Sequence, residues 1–195
     1  MFNDLSSPLS LLSTRRSGKP RDMIAPGPDD AQLRQILGIA ARTPDHGKLA
    51  PWRFVTIGSD QRDILAAKLR EAYLVDKPNA GRLELDSIDA FAREAPCLVV
   101  VLSAPIRDSH IPVWEQELSA GAVCMNMLTA AHAMGFVASW LTGWAAFSDQ
   151  VRDLFGGPET RIAGFIFIGS PSRPLDERPR PQFDAITKKW DPPTA

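Results

Sequence analysis

Residues 41–54, Ala-Arg-Thr-Pro-Asp-His-Gly-Lys-Leu-Ala-Pro-Trp-Arg-Phe, form a cationic loop between two apolar segments. The segment before it repeats apolar residues at helical spacing, at Leu33, Ile36, Leu37 and Ala40. This spacing predicts a helix with one buried face, and residues 54–57 after the loop predict a strand. The loop itself carries Arg42, His46 and Lys48. Loops held by such a scaffold often contain the functional residues of a domain.

A second basic group, Arg15-Arg16-Ser17, follows a short helix predicted over residues 9–14. Two guanidiniums and a hydroxyl are donors suited to a phosphate. Taken alone, however, the triplet is better explained as a solvated helix end, where the helix dipole favours cations.

The remaining patterns predict a chain in which helices and strands are mixed. We expect strands at residues 54–57, 97–102, 136–141 and 162–168, and helices at residues 9–14, 29–41, 61–73, 83–91, 113–134 and 149–155. The run at 97–102 is continuously apolar, which is typical of a strand covered on both faces. The helix at 113–134 is apolar around its whole circumference, which predicts burial at the centre of the protein or between subunits.

The composition describes a soluble globular chain of 195 residues, 44% hydrophobic and 23% charged. The net charge of −1 argues against nucleic-acid partners, which usually select a basic surplus. Cys97 and Cys124 lie in apolar runs and are expected to be buried reduced thiols. The start of the chain lacks a signal-peptide pattern, and the sequence lacks an uncharged membrane-length run, so we expect a cytoplasmic protein without membrane contact.

Composition changes after Gly169, where prolines become frequent. Proline disrupts both helix interiors and central strands. We therefore predict one domain over residues 1–170, with residues 171–195 as an extended C-terminal arm of the same domain.

The chain resembles the flavin-dependent nitroreductases in the triplet at 15–17, in Pro-Asp-His at 44–46 and in Pro-Trp at 51–52. The loop resembles a small subgroup of that family most. The similarity extends more loosely from residue 12 to about residue 192. It implies an α+β sandwich, in which helices flank a central, mainly antiparallel sheet and the C-terminal arm is extended. It also implies an FMN-binding homodimer with shared active sites.

By this resemblance, Arg15, Arg16 and Ser17 bind the ribityl phosphate and the pyrimidine edge of FMN. Lys19 matches a lysine that faces the flavin N1 and O2 in several members. Arg42 and His46 contact the flavin of the neighbouring subunit. The chain departs from the family at Ala50, where a glutamine commonly precedes Pro-Trp.

Two further segments take their roles from the resemblance. The segment of Trp140, Leu141 and Thr142 lies beside the flavin, to which the equivalent segment of the family often donates backbone N–H hydrogen bonds. Lys188 matches a C-terminal cation placed against the flavin phosphate. No side chain is expected to act as an acid or base of its own, because the flavin carries the chemistry. Metal-ligand spacing and nucleophile motifs are absent from the sequence.

The expected activity is transfer of a hydride from NAD(P)H through FMN to a small-molecule acceptor, such as a nitroaromatic or quinone, in a ping-pong cycle. The sequence leaves two alternatives open. One is a flavin-binding carrier or sensor without turnover, suggested by Ala50. The other is a scaffold that has lost its flavin.

Overall fold

A five-stranded sheet forms the centre of the computed structural model, which describes residues 2–192. Its strands are β1 (Met23–Ile24), β2 (Trp52–Ile57), β3 (Cys97–Ser103), β4 (Val137–Leu141) and β5 (Arg161–Pro171). β5 pairs with β1, β3 and β4, and β3 also pairs with β2. Every one of these pairings is antiparallel, which confirms the predicted α+β class and sheet type.

Helices lie on both faces of this sheet. Over residues 2–192 they are α1 (Pro8–Thr14), α2 (Asp30–Ala40), α3 (Arg62–Asp76), α4 (Arg82–Arg93), α5 (Val113–Ala133), α6 (Gly143–Phe147), α7 (Asp149–Asp153) and α8 (Phe183–Ile186). The sequence does not predict β1, α6 or α8. These elements have two to five residues, too few for a periodic pattern to emerge.

β3 separates two hydrophobic cores, because alternate side chains of a strand point to opposite faces. Its odd-numbered apolar residues pack in one core with α2 and α5. The even-numbered ones pack in the other core with α3 and α4. All seven residues of β3 are buried, so the prediction of a strand covered on both faces is confirmed.

α5 is buried on one side only. Val123, Met127 and Ala131 lie in the core against the sheet. On the opposite side Trp114 is 67% exposed and Leu118 is 55% exposed. The sheet therefore covers one face of the helix, and the apolar outer face is uncovered in the single chain.

The two cysteines are structural. Cys97 and Cys124 are both buried and free, as predicted. Burial raises the pKa of the Cys97 thiol to about 11 and that of Cys124 to about 12. Both thiols therefore stay protonated near neutral pH, which makes them poor nucleophiles and poor metal ligands.

Residues 172–192 are largely exposed. Apart from the short helix α8, they have no regular secondary structure. β5 continues to Pro171, one residue beyond the predicted end of the main domain. Within residues 2–192, no helix has the length and apolar character needed to cross a membrane.

Candidate functional site

A cavity of about 330 Å³ opens where the segment after α1 meets β4 and the start of the C-terminal arm. Its walls include six of the predicted site residues: Arg15, Arg16, Ser17, Lys19, Trp140 and Leu141. The structure therefore brings together two predicted segments that are more than a hundred residues apart in the chain. The volume lies within the range typical of small-molecule sites.

The local sequence places the basic triplet at this cavity. Ser7 caps α1 by accepting a hydrogen bond from the Ser10 backbone N–H, and α1 ends at Thr14. The chain then turns extended at Arg15. Asn3 holds the next residue, because its Oδ1 accepts from the Arg16 N–H at 2.7 Å and its Nδ2 donates to the Arg16 carbonyl at 3.3 Å.

The Arg16 guanidinium is itself buried, with only 6% of the residue exposed. Its Nε donates to the backbone carbonyl of Asp176 at 2.7 Å, and Glu177 lies 3.7 Å away. The arm is thereby fastened to the triplet across 160 positions of sequence.

Positive charge exceeds negative charge around the cavity. Its walls contain six cationic side chains, from Arg15, Arg16, Lys19, Arg173, Arg178 and Arg180, and two carboxylates, from Asp22 and Asp176. Burial lowers the pKa of Arg15, and the nearby charges of Arg180 and Arg16 lower it further. Burial likewise lowers the pKa of Arg16, with added repulsion from Arg178 and Arg180 that Glu177 and Asp176 partly offset. A bound anion such as a phosphate would relieve this repulsion.

Four of these cations already have acidic neighbours. Arg16 and Arg180 lie 3.7 Å and 3.6 Å from Oε1 of Glu177. Arg173 donates two hydrogen bonds to Oδ2 of Asp22, and Lys19 lies 3.4 Å from Oδ2 of Asp176. Arg15 is different, because its Nη1 contacts the hydroxyl of Ser17 at 3.2 Å rather than a carboxylate. Arg15 therefore presents a half-buried charge directly to the cavity.

Trp140 forms one wall through an unusually close approach to β5. Its Nε1 donates to the Ala163 carbonyl at 2.9 Å. A Cβ atom added to Gly164 would lie 2.1 Å from the same Nε1, so the ring occupies the space that a side chain at 164 would need. Only glycine permits this ring position.

Four of the ten predicted residues lie away from the cavity walls: Arg42 and His46, described below, and Thr142 and Lys188. Thr142 is exposed just after β4, and Lys188 is exposed in the arm beyond α8. The arm instead contributes Arg173, Arg178 and Arg180, which sequence reasoning missed, as it missed the buried Ser139. A signal was present, because these arginines alternate with prolines in residues 173–181.

The second cationic segment, residues 42–50, is held on a different surface by α5. The Asn126 amide donates to Oγ1 of Thr43 at 2.7 Å, and the Ser119 hydroxyl donates to the Pro44 carbonyl at 2.6 Å. Nδ1 of His46 lies 2.8 Å from Oε2 of Glu115. The three anchors lie along one side of α5, with Ser119 one turn after Glu115 and Asn126 two turns after Ser119.

The backbone of this loop is strained. Gly47, Lys48 and Ala50 all have positive φ, at 76°, 56° and 45°. Such a conformation costs roughly 1–3 kcal/mol at each residue other than glycine. The Asp45 carboxylate offsets this cost by accepting the N–H groups of Leu49 at 3.1 Å and Ala50 at 2.8 Å.

Arg42 and His46 do not reach the arginine-lined cavity. Both are exposed, and neither is among the residues that line it. One chain therefore brings together the triplet and the β4 segment, but not the loop.

Comparisons with known proteins agree with this architecture. The model of the Nitroreductase family matches residues 13–170. The chain is 36% identical over 168 residues to the Escherichia coli (strain K12) protein named "Putative NAD(P)H nitroreductase YdjA", covering 84% of this chain and 87% of that one. The chain belongs to the nitroreductase family.

Solved structures show the same fold. A nitroreductase-like protein from Bacillus cereus superposes with a TM-score of 0.77 at 17% identity, covering 94% of this chain and 95% of its own. A Bacteroides fragilis nitroreductase with bound FMN gives a TM-score of 0.69 at 20% identity, covering 92% and 97%. Among residues 2–192 of the present chain, no group of three or more His, Cys, Asp or Glu side chains could hold a metal ion.

Proposed function

We propose that this nitroreductase-family chain is an FMN-dependent oxidoreductase that passes reducing equivalents from NAD(P)H to a small acceptor such as a nitroaromatic or quinone, in a ping-pong cycle. The arginine-lined cavity carries the proposal, because it joins an excess of cations to the apolar wall of Trp140 and Leu141. The E. coli relative is named as an NAD(P)H nitroreductase and the B. fragilis neighbour binds FMN, which supports the same assignment.

The residues present fit FMN. Its single terminal phosphate matches the half-buried guanidinium of Arg15, which is repelled by Arg180 and Arg16 and contacts a hydroxyl rather than a carboxylate. Arg178 and Arg180 add charge from the arm. An adenine-binding glycine fingerprint is missing from the sequence, which favours FMN over FAD.

Each group of residues would have a distinct task. Arg15, Arg16 and the Ser17 hydroxyl would hold the phosphate end, while Trp140 and Leu141 would exclude water from the ring. Lys19 would place a cation beside the pyrimidine edge, where negative charge develops on reduction. When bound, FMN supplies the hydride chemistry, so the protein's task is binding, orientation and electrostatics.

We further propose that the active form is a homodimer that shares its sites. The outer face of α5 exposes Trp114, Leu118 and Met125, and α1 exposes Leu9 and Leu12 near the other end of the same helix. Exposed apolar surface of this extent typically marks an interface. A partner would also supply Arg42 and His46, which cannot reach the cavity of their own chain.

Mixing two damaged chains tests the sharing. One chain carries Arg15→Ala and the other His46→Ala, and tagged heterodimers are purified. If sites are shared, one site of each heterodimer is intact and the other doubly damaged, so activity recovers to about half of wild type. Heterodimers no more active than the parent homodimers would contradict the sharing.

Cofactor content and turnover test the activity itself. We expect released cofactor to run as FMN on chromatography, and NADH or NADPH to be oxidised in the presence of a nitroaromatic or quinone. Stoichiometric flavin without turnover would favour the carrier or sensor hypothesis, and a colourless protein that cannot be reconstituted would favour a scaffold without flavin. A cytoplasmic location stays a prediction from the sequence.

A further inference from the structure

The contact between His46 and Glu115 links the cationic loop to the first turn of α5. Nδ1 of His46 and Oε2 of Glu115 are 2.8 Å apart. The His46 side chain is 64% exposed and that of Glu115 is 38% exposed. Exposed pairs of this kind add little to stability, so the contact needs an explanation other than holding the fold together.

The chemistry of the pair fixes the position of one proton. An ionised carboxylate can only accept hydrogen bonds. His46 must therefore carry a hydrogen on Nδ1 to make this contact, and its neutral form then has a bare lone pair on Nε2. Neutral imidazole in water favours the opposite tautomer, with the hydrogen on Nε2. Glu115 thus selects the form that an unrestrained histidine disfavours.

The surrounding contacts make this selection effective, because the loop cannot move away from Glu115. Ser119 and Asn126 hold the backbone and side chain just before His46, at Pro44 and Thr43. The Asp45 carboxylate is occupied by the N–H groups of Leu49 and Ala50 and does not compete for the ring. The ring is consequently held through one nitrogen, while the other remains free.

We infer that Glu115 is a positioning residue for the shared site: it fixes the orientation and tautomer of His46, so that Nε2 is presented as a hydrogen-bond acceptor to the flavin or electron acceptor held by the partner subunit. The consequence for catalysis rests on the proposed function above. The tautomer is a property of this chain alone, and it is measurable without cofactor.

The chain offers a matched control. Glu117 lies two residues further along α5, and its side chain, 40% exposed, contacts Arg161 at 4.0 Å rather than a histidine. Glu117→Gln and Glu115→Gln therefore make the same chemical change at similarly exposed positions of the same helix.

Nitrogen-15 NMR of the imidazole rings measures the tautomer directly, at a pH where the ring is found to be neutral. His46→Gln identifies the His46 signals among the three histidines. We expect wild type and Glu117→Gln to hold the hydrogen on Nδ1, Glu115→Ala to shift it to Nε2, and Glu115→Gln to give a mixture. A wild-type ring with its hydrogen on Nε2 would overturn the inference.

Turnover of the flavin-loaded dimer tests the link to the shared site. We expect Glu115→Gln to lower kcat/KM about tenfold, the low end of the loss seen when the partner that orients a metal-ligating histidine is removed. Its thermal midpoint should match that of Glu117→Gln, which should keep wild-type turnover. Normal turnover in Glu115→Gln despite a shifted tautomer would overturn the positioning role. Inactivity of the wild type would instead contradict the proposed function and leave the NMR result standing.

Discussion

The two cationic segments of this chain, residues 15–19 and residues 42–50, have similar composition but opposite settings. The first is built into the protein, with a buried arginine, a clamp from Asn3 and a contact to the arm. The second is tied firmly to α5, yet its cations face solvent. On the function proposed above, the first segment would complete a site within its own chain, whereas the second would contribute to the site of a partner subunit.

Placing a charge on the outer face of α5 should have the largest effect, and the quantity that changes is the affinity of the dimer. In Leu118→Glu the exposed leucine becomes a charge that a dimer would have to bury. Burying an unpaired charge costs several kcal/mol, and a symmetric interface contains it twice, so we expect dimer affinity to fall by roughly a thousandfold or more.

Ultracentrifugation measures the dimer affinity, and FMN occupancy should fall with it, because a ligand that binds the dimer more tightly than the monomer stabilises the dimer by mass action. Leu83→Glu, on the exposed side of α4, is the matched control and should remain dimeric. A monomeric Leu118→Glu variant that retains full FMN would show that the first segment needs no partner.

The pH dependence of the unfolding free energy tests whether the core behind the first segment is closed to water. His132 is fully buried behind it, and its Nε2 accepts the Ala138 N–H at 3.3 Å. Burial, with repulsion from Arg15, lowers the His132 pKa from 6.5 to about 4. Above pH 6.5 the ring is neutral in both folded and unfolded chains. Below this value the unfolded chain binds a proton first, so stability falls until about pH 4.

The loss amounts to roughly 3 kcal/mol across that window. His132→Gln keeps an acceptor for Ala138 but cannot titrate, so the difference in unfolding free energy between it and wild type should change by this amount. Denaturant unfolding at several pH values checks the slope. Parallel pH profiles for the two proteins would mean that His132 is not buried in its neutral form.

Removing one cation from each segment compares what the two segments contribute to FMN binding. Arg15→Ala deletes a half-buried charge at the cavity and should weaken FMN binding roughly tenfold to a hundredfold, the usual cost of about 1.5–3 kcal/mol for a charge-assisted contact. Arg42→Ala should also weaken FMN binding in the dimer, but should have no effect in the monomeric Leu118→Glu background.

Fluorescence titration with FMN measures both affinities, with Arg107→Ala as a control for an exposed arginine that pairs with Glu159 elsewhere. Unchanged FMN affinity in Arg15→Ala would show that the triplet is merely a helix end.

The smallest effect is expected in the arm. Arg178→Ala and Arg180→Ala remove exposed cations that line the cavity, and each should weaken FMN binding by roughly twofold to fivefold, since exposed ion pairs are worth about 0.2–1 kcal/mol. Lys188→Ala should leave affinity unchanged, because Lys188 lies outside the cavity walls. If Lys188→Ala weakened FMN binding more than Arg178→Ala and Arg180→Ala, the result would instead support the role that the family resemblance assigned to Lys188.

Sequence patterns predicted the fold where burial and periodicity coincide. The run at 97–102 was identifiable as a fully covered strand, because both cores need apolar side chains from it. The setting of the outer face of α5 was harder to predict. Trp114 and Leu118 are apolar, but the neighbouring sequence does not show what covers them. Periodicity reports that a face is apolar, and it does not report the partner.

The site was predictable only in part, for a similar reason. The triplet and the β4 segment carry local motifs, and the structure brings them to one cavity. Arg178 and Arg180 belong to an irregular arm, whose path depends on distant contacts such as the bond from Arg16 to the Asp176 carbonyl. Proline-rich sequence excludes regular structure but does not specify where the chain goes.

The missing side chain at Gly164 has a consequence for how this cavity could be reshaped. Gly164 lies on β5 and lines no part of the cavity, yet its single hydrogen leaves room for the Trp140 ring. Adding one methyl group at this position would push the indole away from its carbonyl partner and alter the wall from behind. A substitution at residue 164 would therefore reshape the cavity while every residue that lines it stays the same.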